Sequence, residues 1–116
     1  MEKKLYTVEN FDIYNFSLIK SIVEFFVKKY PNLKIKIDDE MTGWIEEVSK
    51  KELYKLVSAR IKKYTGLDKI NLEVNNEMPV QIIFHENSAF LEVDNVTKDE
   101  IEKKFNIKLK IFKQNA

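Results

Sequence analysis

At 116 residues the chain is long enough for one domain with its own core, and 44% hydrophobic against 34% charged residues is a globular balance that excludes a disordered chain. The absence of cysteine excludes a disulfide scaffold, a thiolate zinc site and a cysteine nucleophile. A net charge of +1 gives no electrostatic case for a nucleic-acid or membrane partner, and every cation but Arg60 is a lysine, which lacks the planar fork that reads phosphate or guanine.

KLYTVE (3–8) alternates and is predicted to be the first strand. A helix should begin near Asn15 or Ser17 and end before Pro31, which has no N–H to continue a turn. Its apolar residues Leu18, Ile19, Ile22, Val23, Phe25, Phe26, Val27 and Tyr30 exceed one stripe and leave a narrow ridge of Lys20, Glu24 and Lys28. Such a helix is expected to be central, covered on more than one side. LKIKI (33–37) reads as a strand, and GWIEEV (43–48) as a strand in preference to an irregular approach to the second helix.

Ser49-Lys50-Lys51-Glu52 spells a capping box and opens a second helix, with Leu53, Leu56, Val57, Ile61 and Tyr64 on one face and a stop at Thr65-Gly66. INLEV (70–74) is a strand, and VQIIFH (80–85) with AFLEV (89–93) forms a hairpin around Glu86-Asn87-Ser88. Thr97-Lys98-Asp99-Glu100 spells another capping box, opening a short helix that contributes Ile101 and Phe105, before a last strand IKLKI (107–111). All three helices leave through a basic turn and an aromatic into an alternating strand, as VKKYPNLKIKI, IKKYTGLDKINLEV and EKKFNIKLKIF show. The fold class is α+β: a two-layer sandwich of a mainly antiparallel sheet and about three helices, in the order β-α-β-β-α-β-β-β-α-β, as one domain over 1–116.

DDEMTGWIEE (38–47) gathers five carboxylates around the only tryptophan. A calcium loop needs spaced oxygen ligands, a turn glycine and a terminal bidentate Glu, and this order is absent. On a strand, Trp44 and Glu46 fall on one side and Ile45 and Glu47 on the other, so the Glu doublet does not converge. His85 is the only histidine, so a two-histidine metal site within the chain is excluded. No serine sits in a nucleophile elbow, and two glycines are too few for a phosphate-cradling loop. The expectation is therefore no cofactor, no metal and no enzyme. A hydrolase using Glu46, Glu47 or His85 is the least favoured alternative.

Lys34 and Lys36 in LKIKI share one strand face, as do Lys108 and Lys110 in IKLKI, with Lys113 just beyond. If those strands are neighbours, the lysines form a basic stripe suited to a phosphate backbone, opposed by Asp38, Asp39 and Glu40. NSAFLEV (87–93), followed by a capped helix and a last strand, resembles the RNP1 strand, second helix and final strand of an RNA recognition motif. Ala89, Phe90 and Leu91 fall on matching positions. Asn87 stands where that pattern has glycine, and Ser88 and Val93 where it has aromatics. The resemblance implies a base-stacking role for Phe90.

The favoured function is a small, cytoplasmic binding protein that acts through a protein–protein interface or as a homodimer, of the accessory or inhibitor type that phages and mobile elements carry. A start with no apolar h-region and no apolar run near about 20 residues gives the cytoplasmic expectation. The candidate interface is Trp44 with Asp38, Asp39, Glu40 and Glu46, joined by Leu18 and Phe25 outside the main helical stripe.

Overall fold

The computed structural model describes residues 2–12, 16–39, 43–61, 67–85 and 88–112. In chain order the elements are β1 (Lys3–Val8), α1 (Phe16–Lys29), β2 (Lys34–Asp39), β3 (Trp44–Val48), α2 (Lys50–Ile61), β4 (Leu67–Val74), β5 (Glu77–His85), β6 (Ser88–Asp94), α3 (Asn95–Phe105) and β7 (Leu109–Ile111). The order is the one the hydrophobic periods specify. The seven strands form one sheet, β3-β2-β4-β5-β6-β1-β7, and every neighbouring pair is antiparallel.

Alternation decides which face is buried. Ile37, Ile70, Ile82, Leu91 and Tyr6 follow one another across the sheet in register, and all are buried. They pack in one core with Ile19, Ile22, Val23 and Phe26 of α1, Leu53 of α2 and Ile101 of α3. The helices therefore cover one face, which gives the two-layer α+β domain. The residues between them in sequence form an opposite face that none of the three described helices covers.

α1 lies between the other two helices. Toward α2, the Tyr54 hydroxyl donates to the Lys20 carbonyl at 3.2 Å, and Lys50 pairs with Glu24 at 3.4 Å. Toward α3, Phe25 meets Phe105 edge-on at 5.9 Å between centroids, and Lys29 pairs with Glu100 at 2.7 Å. The excess apolar surface of α1 is partly used inside the domain: Phe25 and Leu18 are half-buried and pack against the core.

The starts of α2 and α3 are each built by a side chain. At α2, Ser49 Oγ accepts the Glu52 amide at 3.2 Å and donates to Glu52 Oε1 at 3.0 Å, so the expected Ser–Glu pair is present. At α3 the expectation needs correcting, because the cap is Asp94 and not Thr97. Asp94 is extended (φ −76, ψ 170) and its carboxylate accepts the Thr97 amide at 2.7 Å, so α3 starts at Asn95, two residues ahead of Thr97. A carboxylate at the end of β6 caps the helix earlier and carries charge that the helix dipole favours.

Turns account for the left-handed residues. Asn75 (φ 51) and Asn76 (φ 66) make a two-residue hairpin turn between β4 and β5 in which both central residues need positive φ. Asn106 (φ 52) ends α3, its amide donating back to the Glu102 carbonyl. β7 is shorter than IKLKI, since Ile107 and Lys108 are taken up by the exit from α3. The Thr65-Gly66 stop and the Glu86-Asn87 turn lie outside the described residues.

Candidate protein interface

The β2–β3 hairpin holds most of the residues singled out in DDEMTGWIEE. β3 is an edge strand, paired on one side only. Its register against β2 sets Trp44 opposite Asp39, Ile45 opposite Asp38, Glu46 opposite Ile37 and Glu47 opposite Lys36. Because Ile37 is buried under the helices, Glu46 lies at the rim of the helix-covered face, whereas Ile45 and Glu47 lie on the open face. The doublet diverges, as strand alternation requires. Ile45 is 57% exposed, and the two residues that follow it, Glu46 and Glu47, are exposed as well. Only the backbone positions of Trp44 and Asp39 are described, and Glu40 lies outside the described residues.

The hydrolase residues are not brought together. His85 ends β5, opposite Ser88, and is exposed. β5 is three strand steps from β3, which is about 14 Å at the usual inter-strand spacing. Among the described residues, no group of three or more His, Asp or Glu is placed to hold a metal ion.

The lysine strands are not neighbours, so the condition for a basic stripe is unmet. β2 and β7 stand five strand steps apart in the sheet, about 24 Å. Lys36 is paired with Glu73 across the β2–β4 ladder at 3.0 Å, and Lys34 lies opposite Glu73 in register. Beside them, Gln81 donates to the buried Asn71, a polar pair in the middle of the open face. Lys113 lies outside the described residues.

The other end of the open face is more apolar. One register row runs Lys69, Ile83, Phe90, Thr7 and Lys110 across β4, β5, β6, β1 and β7. Phe90 and Phe112 meet edge-on at 5.2 Å, and Phe112 is 39% exposed. Phe90 thus occupies the uncovered face, where the RNP1 resemblance places a stacking aromatic, while Tyr6 of the adjoining β1 is buried on the helix side. The four strands at this end follow the order β5-β6-β1-β7.

The chain matches no family model, no curated protein and no solved structure. Its function must be read from its own residues.

Two features of the site escaped the sequence reading. Phe112 was not singled out, although its alternation with Lys108 and Lys110 assigns it to their face. Glu102 is the other: its carboxylate accepts the Leu109 amide at 2.8 Å and meets Lys98 at 3.0 Å. The amide hydrogen bond, helped by Lys98 and partly offset by burial, holds this carboxyl below the usual glutamate range. An i to i+7 contact across a helix end has no signature in periodicity.

Proposed function

We propose that the chain is a small non-enzymatic binding protein that docks another protein along the β2–β3 edge of its sheet. The observation that carries this reading is Ile45, 57% exposed on an edge strand and followed by the exposed carboxylates Glu46 and Glu47. An exposed apolar side chain in a charged rim on an unpaired edge is the arrangement a partner completes. Trp44, Asp38 and Asp39 belong to the same hairpin, whereas Leu18 and Phe25, which serve the helix layer, leave the interface. The separation of His85 from Glu46 and Glu47 supports binding over acid–base chemistry.

The test compares what a tagged copy retains with what its Ile45→Lys and Phe90→Ala variants retain. A protein held by the wild type and by Phe90→Ala, but lost from Ile45→Lys, is the expected result. Loss on Phe90→Ala with full retention by Ile45→Lys would move the interface to the open face.

One observation favours a second reading, a single-stranded nucleic-acid module. Phe90 and Phe112 sit on the uncovered face with Lys110 in the same row as Phe90. Bases stack on such aromatics while lysines follow the phosphates. Fluorescence anisotropy with a single-stranded RNA separates the two. Binding that weakens steeply with salt and fails in Lys108→Glu/Lys110→Glu would establish this second reading.

A further inference from the structure

An open antiparallel sheet has two edges, and each presents a row of outward N–H and C=O groups to any chain that can pair with them. In this sheet the edges are β7 and β3, and they are treated differently.

β7 carries its own stopper. The Glu9 amide donates to the Lys108 carbonyl at 3.0 Å and the Phe112 amide to the Leu5 carbonyl at 2.9 Å. In an antiparallel ladder the bonded residues alternate, so Lys108, Lys110 and Phe112 face β1 while Leu109 and Ile111 turn their peptide groups outward. The outward amide of Leu109 is the one that Glu102 occupies. A strand arriving at β7 would have to displace a carboxylate that Lys98 holds in place.

β3 has no such cover among the described residues. Ser49 and Glu52, which follow it in the chain, are spent on each other and on the start of α2. Glu46 and Glu47 project to opposite faces and remain exposed.

Resting on the protein-binding reading above, we propose that the β3 edge takes up an extended segment of another protein as an eighth strand, with two consecutive cations between apolar residues. The charges select the occupant. A neighbouring strand sets one residue opposite each of Ile45, Glu46, Glu47 and Val48, and the complementary choices are apolar, basic, basic and apolar. A second copy of this chain fits badly. Two β3 strands paired antiparallel about their centres set Glu46 against Glu46, and like charges directly opposite each other repel. The β7 edge of a second copy is stoppered by Glu102.

The probe is a blocked eight-residue peptide, TTVKKVTT, with TTVEEVTT as its charge-reversed control, titrated into the isotopically labelled full chain. Amide shifts centred on residues 44–48 are expected for the basic peptide, with binding about tenfold tighter than for the acidic one and weakened by salt. The Glu46→Lys/Glu47→Lys variant changes two exposed side chains, and its dispersed amide spectrum reports that it folds. It should lose TTVKKVTT and gain TTVEEVTT. Equal binding of the two peptides, shifts centred on β7 or on Phe90, or β3 shifts that appear on raising protein concentration without peptide would each overturn the proposal. If neither peptide binds while Ile45→Lys still loses its protein partner, strand addition is wrong and the interface survives as a contact between folded surfaces.

Discussion

Glu102 on α3 and Leu109 on β7 are joined by a carboxylate–amide hydrogen bond of 2.8 Å that closes the corner between the last helix and the last strand. The Glu102 side chain is 24% exposed and paired with Lys98, so the bond is partly screened. Charge-assisted hydrogen bonds contribute about 1.5–3 kcal/mol at best, and solvent reduces this one to about 1 kcal/mol. Glu102→Ala should lower the urea midpoint by that amount. It should also produce concentration-dependent association in sedimentation, because the Leu109 amide is then free. Glu102→Gln keeps an acceptor oxygen and should associate no more than the wild type.

Acid should act at both ends of α3. Glu102 is held below its ordinary value of 4.5 chiefly by the Leu109 amide. Asp94 is held below 3.8 chiefly by the Thr97 amide. A depressed native value means that the unfolded chain binds protons first. The stabilisation is therefore complete above about pH 4.5 and is lost as pH falls through the lower native values. Urea midpoints followed from about pH 6 to about pH 3 should fall with pH, and Glu102→Gln or Asp94→Asn should each flatten that slope.

The cap at α3 gives a separate test. Asp94→Ala leaves the Thr97 amide without its acceptor and should cost about 1 kcal/mol in urea unfolding at neutral pH. The Thr97-Lys98-Asp99-Glu100 segment holds no cap to replace it. A loss below about 0.3 kcal/mol would show that α3 starts where that sequence pattern suggests.

Adjacent residues on β6 should behave oppositely. Leu91 is fully buried under the helices, and Leu91→Ala should cost about 2–5 kcal/mol. Phe90 is half-buried on the uncovered face, and Phe90→Ala should cost under about 2 kcal/mol despite removing the larger side chain. Equal losses in urea would mean that something in solution covers the open face.

These contrasts show what the sequence carries. The alternation in AFLEV assigns Leu91 and Phe90 to their faces, and the excess apolar surface of α1 announces a central helix. Strand order is different. LKIKI and IKLKI look alike because each needs one buried and one solvated face, and nothing in either says that four strands separate them. The cap was misplaced because Thr97 and Glu100 spell a capping box, while the acceptor that wins, Asp94, reads as the end of a strand. Ile45 was legible as the partner face of Glu47, yet its exposure depends on β3 being an edge, which pairing alone decides. The edge-on meeting of Phe25 with Phe105 depended likewise on how the helices pack.

The place of β1 in the sheet bears on how the chain comes to be folded. Tyr6 pairs with Leu91 on one side and Ile111 on the other, so β1 has only strands from the far end of the sequence as neighbours. Until β6 and β7 leave the ribosome, KLYTV carries two bare edges and an apolar face. The β2–β3 hairpin and its pairing with β4 can assemble meanwhile from contacts closer in sequence. Closure of the other half waits on long-range pairing, the slow step in β-rich topologies. A nascent chain stalled before residue 88 would hold half a sheet and one unmatched strand, with the exposed apolar surface and bare edges that make such species prone to aggregate.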